Sequence, residues 1–265
     1  MLPLTPVKPL IETAFYEACS AGTLEEVIQY VEHQGCTPEA LRHGLIKSAK
    51  NGQLAIVRYL LDKGAKIDQV VTMKAAEGRC LEVFQALCDH GWDVNEPTLF
   101  GKNILTLAID DEKLIRWLLD MGANPNHGAA LFSSGVSRET DAKSGEVLNA
   151  AAEGASVAVL NLLLERGAQL ERSYPLHFAA KRGRVDVIQR LLELHVDING
   201  FDELRGPYKI GTPLHYAARF CHAETVQYLL DKGADPNKAG LESLLREAEP
   251  SVEITEIIKN WITQG

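Results

Sequence analysis

Gly211-Thr212-Pro213-Leu214-His215-Tyr216-Ala217-Ala218, followed by Tyr228-Leu229-Leu230-Asp231-Lys232-Gly233-Ala234-Asp235-Pro236-Asn237, is the stretch on which the fold turns. Both halves recur along the chain. The second returns as Tyr59-Leu60-Leu61-Asp62-Lys63-Gly64-Ala65, as Trp117-Leu118-Leu119-Asp120-Met121-Gly122-Ala123 and as Leu162-Leu163-Leu164-Glu165-Arg166-Gly167-Ala168. Weaker copies stand at His90-Gly91-Trp92 and Leu194-His195-Val196. The first half returns nearly intact as Tyr174-Pro175-Leu176-His177-Phe178-Ala179-Ala180, and in degenerate form at Ser48-Ala49, Ala75-Ala76, Ala108-Ile109 and Ala151-Ala152.

Each half has a local physical reading. Thr-Pro opens a helix, because proline is tolerated in the first turn and the threonine oxygen can cap it. The paired alanines let that short helix approach its neighbours closely. In the second half Val226, Leu229 and Leu230, or Val57, Leu60 and Leu61, are spaced three and four apart and share one helical face. Gly64, Gly122, Gly167 and Gly233 fit the left-handed position that ends a helix. One such pair of helices cannot bury its stripe alone, so neighbouring pairs must stack.

These blocks resemble the ankyrin repeat family, whose signature is T-P-L-H-x-A-A followed by L-L-x-x-G-A-D-x-N. The resemblance runs from about Ile11 to Asn237, and the wording around Gly91–Asn95 and Leu105–Asp111 is similar to arrays common in filamentous fungi. It implies an all-α ankyrin-repeat solenoid of about seven helix-turn-helix repeats, with short hairpin loops and helical caps. The expected division is a capping repeat over 1–40, repeats over 41–237, and a C-terminal helical cap over 238–265. Steps between successive glycine positions are unequal against a family period of about 33 residues. The long ones place insertions near 128–144 and 200–209. The first insertion is polar and reads as a flexible surface loop. The second carries Phe201 and Tyr208 among charges and is a candidate contact loop. Pro250 separates two amphipathic stretches that form the C-terminal cap.

Composition narrows the function. The chain has 265 residues, 46% hydrophobic and 24% charged, with 27 Lys and Arg against 36 Asp and Glu for a net charge of −9. That balance argues against a general nucleic-acid binder. Five cysteines without paired spacing read as reduced thiols, hence a cytoplasmic or nuclear protein. No secretory signal, prenylation cysteine or apolar run long enough for a membrane span is found. No C-x-x-C or H-x-x-x-H pair, phosphate loop or G-x-S-x-G string occurs, so no metal, cofactor or catalytic residue is expected. Cys19, Cys80, Cys88 and Cys221 occupy positions where small residues pack. Asp110-Asp111 reads as a solvated turn. The resemblance gives His177 and His215 a structural role, hydrogen bonding to neighbouring loop backbone.

It also implies a non-catalytic protein-interaction scaffold that binds through hairpin tips and the concave side of the first helices. The repeat register puts Lys47, Lys50 and Lys74 on that side in the early repeats, and Phe178, Lys181, Arg182, Tyr216, Arg219 and Phe220 in the late ones. Phe100 at a hairpin tip and Tyr208 in the second insertion complete the set. Aromatics and arginine are enriched at interface centres, and a basic, aromatic groove suits an acidic, partly apolar protein or peptide. A monomer that binds neither nucleic acid nor membrane is expected. The alternative is an enzyme or small-molecule binder using the groove or an insertion loop. Its mark would be a deep apolar pocket holding a perturbed histidine or carboxylate.

Overall fold

The computed structural model describes residues 8–129, 140–141, 144–171, 173–202 and 211–264. They form sixteen α-helices in consecutive pairs. The pairs are α1 (Lys8–Ala21) with α2 (Leu24–Gln34), α3 (Pro38–Lys50) with α4 (Leu54–Asp62), α5 (Gln69–Gly78) with α6 (Leu81–Asp89), and α7 (Ile104–Leu107) with α8 (Glu112–Asp120). There follow α9 (Glu146–Gly154) with α10 (Val157–Glu165), α11 (Pro175–Lys181) with α12 (Val185–Glu193), α13 (Pro213–Arg219) with α14 (Ala223–Asp231), and α15 (Leu241–Ala248) with α16 (Val252–Gln264). A two-residue antiparallel ladder, β1 (Gly128–Ala129) on β2 (Thr140–Asp141), closes the base of the first insertion. The chain divides into two compact units, Met1–Ala123 and Asn124–Gly265.

Within each unit, first helices pack on first helices and second on second. In the first unit α3 lies between α1 and α5, and α4 lies between α2 and α6. In the second, α11 lies between α9 and α13, α15 packs on α13, and α16 on α14. The alanine pairs make the first contact close: Ala151, Ala152, Ala179, Ala180, Ala217 and Ala218 are fully enclosed. The leucine stripes make the second. Leu60, Leu118, Leu163 and Leu229 have no exposed surface, and each buried leucine side chain stabilises by roughly 1.5–3 kcal/mol. The α15–α16 pair packs on α13 and α14 with Leu244, Ala248, Ile254 and Ile258 buried. The boundary drawn at residue 40 falls inside α3, which starts at Pro38.

The recurrent L-L-x-x-G-A string is a helix stop written in sequence. Gly64 N–H donates to the Leu61 carbonyl (2.8 Å) and Ala65 N–H to the Leu60 carbonyl (2.9 Å). This is the paired hydrogen-bond pattern that satisfies the last carbonyls of a helix through a left-handed residue. Gly233 and Ala234 repeat it on Leu230 and Leu229, both at 2.9 Å. The alanine is the residue that folds back against the helix, and Ala234 is 1% exposed. At Gly91 the alanine place is taken by Trp92, buried against Phe84 of its own helix pair with ring centroids 5.5 Å apart.

The first helices end in the same way, with the alanine pair supplying the acceptors. Gly183 N–H reaches the Ala180 carbonyl and Arg184 N–H the Ala179 carbonyl. Gly183 has φ 69°, and a Cβ there would meet His222 Nδ1 at 2.8 Å. Three helix stops lack glycine yet keep the left-handed backbone: Arg79 (φ 53°), His195 (φ 62°) and Cys221 (φ 58°).

Helix starts differ from the expectation at one place. Thr37 Oγ1 accepts from Ala40 N–H (3.1 Å) and Asp68 Oδ1 from Val70 and Val71 N–H, as caps do. Thr212, the threonine of the clearest motif, caps nothing; its hydroxyl bonds His215 Nδ1 at 2.9 Å. The imidazole takes the hydroxyl here, whereas Thr37, also followed by proline, has no such neighbour and keeps its cap bond. The Asp110-Asp111 turn is structural in detail: Asp111 caps α8 through Leu114 N–H, and Asp110 pairs with Arg79.

Candidate functional site

The first helices of the second unit, α9, α11 and α13, bring most of the late candidates together. Lys181 is their centre. Its ammonium lies 5.6 Å from the Phe178 ring centre and 5.7 Å from that of Phe220, so one cation serves two aromatic faces on adjacent repeats. The same nitrogen is 3.0 Å from Glu153 Oε1 at the end of α9. Arg182 Nε reaches that oxygen too, also at 3.0 Å. Arg219 Nη1 stands 3.6 Å from Glu247 Oε2 on α15. Three cations therefore face two carboxylates, and each pairing bridges neighbouring repeats. Arg182 keeps 60% of its side chain in solvent and Arg219 39%. Phe220 is 39% exposed, a large apolar ring open to solvent.

Tyr216 is not part of this surface. The repeat register places it with Phe178, but it is 5% exposed, and its hydroxyl donates to Asp202 Oδ2 at 2.6 Å. Burial, then the hydrogen bond to Asp202, pushes its phenol well above the ordinary range. Asp202 is fully buried at the base of the second insertion. Its Oδ1 accepts from Gly211 N–H (3.1 Å), and its own N–H donates to the Gly211 carbonyl (3.2 Å). Tyr216 is therefore a post that holds Asp202, itself bonded to Gly211. Tyr208 lies outside the described residues. Of Phe100 only the backbone is described, in the single 3-10 turn Leu99–Gly101.

The early candidates sit on the first unit and do not form a comparable cluster. Lys74 Nζ is 2.5 Å from Glu77 Oε1 on the same helix, and Lys50 Nζ is 3.7 Å from Glu77 Oε2. The hydrogen bond from Lys74 holds the Glu77 carboxyl below its usual range. Lys47 projects exposed from α3.

The histidines of the T-P-L-H motif are spent on structure. His177 Nε2 donates to two carbonyls of the next hairpin, Gly200 at 3.0 Å and Gly211 at 3.1 Å. Its ring stands edge-on to Tyr216, 5.3 Å between centres. Burial pushes the pKa of both His177 and His215 down to about 4. These are the strongly perturbed imidazoles that an enzyme reading would seek, and they lie at hairpin junctions rather than in an open pocket. The thiols are free. Cys19 is enclosed, and burial pushes it up to about 12. Cys221 departs from the packing expectation: it is exposed, in a left-handed turn. Among the described residues no group of three or more His, Cys, Asp or Glu side chains could hold a metal ion, and no helix is long and apolar enough to cross a membrane.

The fold defines a class: a helical repeat protein built from helix pairs that pack on one another within each unit. Residues 45–129 and 134–239 match the family described as ankyrin repeats (3 copies). The chain belongs to the ankyrin repeat family. The ankyrin repeat and SAM domain-containing protein 6 of Danio rerio is 27% identical over 201 residues, which are 69% of this chain and 24% of that protein. The chain thus spans about a quarter of that relative's length. The crystal structure of the human ASB11 ankyrin repeat domain superposes with a TM-score of 0.59 at 21% identity, covering 82% of this chain and 96% of that one. The likeness carries the fold. Ankyrin repeats are in general protein–protein interaction modules.

Two contributors to the surface carry no motif. Glu153 follows the degenerate Ala151-Ala152 pair, at the register of the groove positions, and that register is the signal for it. Glu247 lies beyond the last repeat, where the register has ended.

Proposed function

We propose that this chain is a non-catalytic interaction scaffold whose contact surface is the α9–α11–α13 face of the second unit, and that its partner is an acidic, partly apolar protein segment. The observation that carries this reading is Lys181 set between Phe178 and Phe220 beside two arginines that keep donors in solvent. The rings offer apolar surface and the guanidinium groups offer planar, bidentate recognition of carboxylates. In a chain of net charge −9, a local excess of positive charge steers an acidic segment to this face. The scaffold acts as a monomer in the cytoplasm or nucleus, a placement supported by its free thiols.

The test is affinity capture with wild type against an Arg219→Glu/Phe220→Ala variant. Both side chains are exposed enough to change without emptying the core. A partner retained by wild type and lost by a variant with unchanged melting temperature supports the reading. Equal retention of every captured protein by both overturns it.

A further inference from the structure

Glu153 is the one carboxylate in contact with both Lys181 and Arg182 among the described residues, and a single oxygen, Oε1, accepts from both at 3.0 Å. Its side chain is 24% exposed, so the pairing is half-withdrawn from water at the wall of the surface. Two donors on one acidic oxygen, with the Phe178 and Phe220 rings flanking the shared ammonium, form a site shaped for a carboxylate beside an apolar group. In this chain Glu153 fills it from within.

We propose that Glu153 stands in for a partner's carboxylate and sets the selectivity of the surface. A segment binds when its own acidic side chain takes over Lys181 and Arg182, and an adjacent apolar side chain covers Phe220. This rests on the interaction reading above and names the partner's chemistry: a glutamate or aspartate next to a leucine-sized residue. Glu153 opposes any such segment through like-charge repulsion. It also leaves the exposed arginine donors to discriminate an acidic peptide from a neutral one. An intramolecular carboxylate already at hydrogen-bond distance keeps weak anions out, because each must displace a group that needs no association entropy.

The probe is a fluorescein-labelled twelve-residue peptide of alternating Glu and Leu, with a second in which Gln replaces every Glu. Fluorescence anisotropy is measured at low and moderate salt with wild type, Glu153→Gln, Arg182→Glu and Phe220→Ala. Removing one negative charge beside the bound carboxylate should tighten the Glu peptide about fivefold in Glu153→Gln, with a steeper salt dependence. The Gln peptide should bind the two proteins equally. Arg182→Glu and Phe220→Ala should each weaken the Glu peptide. If those two variants lose binding while Glu153→Gln gains nothing, the stand-in role is overturned and the interaction surface survives. If Glu153→Gln tightens both peptides alike, charge selectivity is overturned. If no variant alters binding, or no protein binds the Glu peptide, both proposals fall. Gln at 153 keeps an acceptor for Lys181, and a circular-dichroism melt separates lost binding from lost folding.

Discussion

Acidification should weaken the second unit through His177, and the structure supplies both sign and size. The imidazole donates Nε2–H to the Gly200 and Gly211 carbonyls inside a closed hairpin junction. Burial lowers its pKa to about 4, against about 6.5 in an unfolded chain. Between those values the unfolded chain binds the proton and the folded one does not, so stability falls as pH falls. The contribution is fully present above about pH 6.5, erodes on the way down, and is exhausted near pH 4, where the folded imidazole protonates as well. Over that interval the loss is on the order of 3 kcal/mol for this one residue. His215, also pushed to about 4 by burial, moves stability in the same direction. The assay is urea unfolding followed by circular dichroism from pH 7.5 to 4.5, for wild type and His177→Gln. Glutamine keeps an N–H donor and removes the titration. The variant starts less stable at pH 7.5, but its stability should fall less steeply, by up to about 1.4 kcal/mol per pH unit. An NMR titration should find His177 neutral at pH 5.5. Parallel pH slopes in the two proteins, or a His177 resonance titrating near 6.5, would refute the reasoning.

His90 should behave in the opposite sense. Its Nε2 faces Asp62 and its Nδ1 the Ala86 carbonyl, and the Asp62 hydrogen bond foremost raises its pKa. Its contribution is present below about 6.5 and is lost as pH rises through the folded value. Asp62→Asn should return the NMR midpoint toward 6.5. Leu229→Ala should cost about 2–5 kcal/mol in urea unfolding, because the residue is wholly enclosed between α14 and its neighbours. A midpoint shift near zero would remove the stripe from the core. Cys221→Gly and His195→Gly should each raise the urea midpoint, by up to about 1 kcal/mol of stability, since both residues hold a left-handed backbone that glycine adopts freely. Lower midpoints would show that their side chains contribute more than the strained backbone costs.

Much of the fold is legible along the chain because its instructions are short-range. The stop at Gly233-Ala234 is two hydrogen bonds to Leu230 and Leu229, all within six consecutive residues, so every copy of the string writes the same turn. His195 shows how firm that instruction is: the backbone stays left-handed with an imidazole in the glycine place. The helix pairing and the buried stripes follow from the same period, whereas the loop-bonding role of His177 is what the family resemblance implies.

The candidate surface was legible only by position. Phe178 and Tyr216 hold the same place in their repeats, yet one flanks a half-buried cation and the other is buried against a carboxylate. The difference comes from Asp202, which the second insertion brings under Tyr216 and which no motif marks. The cations read as waiting for a partner already meet Glu153 and Glu247, the first of them 28 residues from Lys181 along the chain.

Local hydrogen bonding and hydrophobic spacing therefore suffice to specify each helix pair and the fact that pairs stack, since both are properties of a few adjacent residues. Which charges cancel, which aromatic stays in water and which carboxylate guards the surface arise from contacts between repeats, and those exist only once the chain has brought distant side chains within a few ångströms of one another.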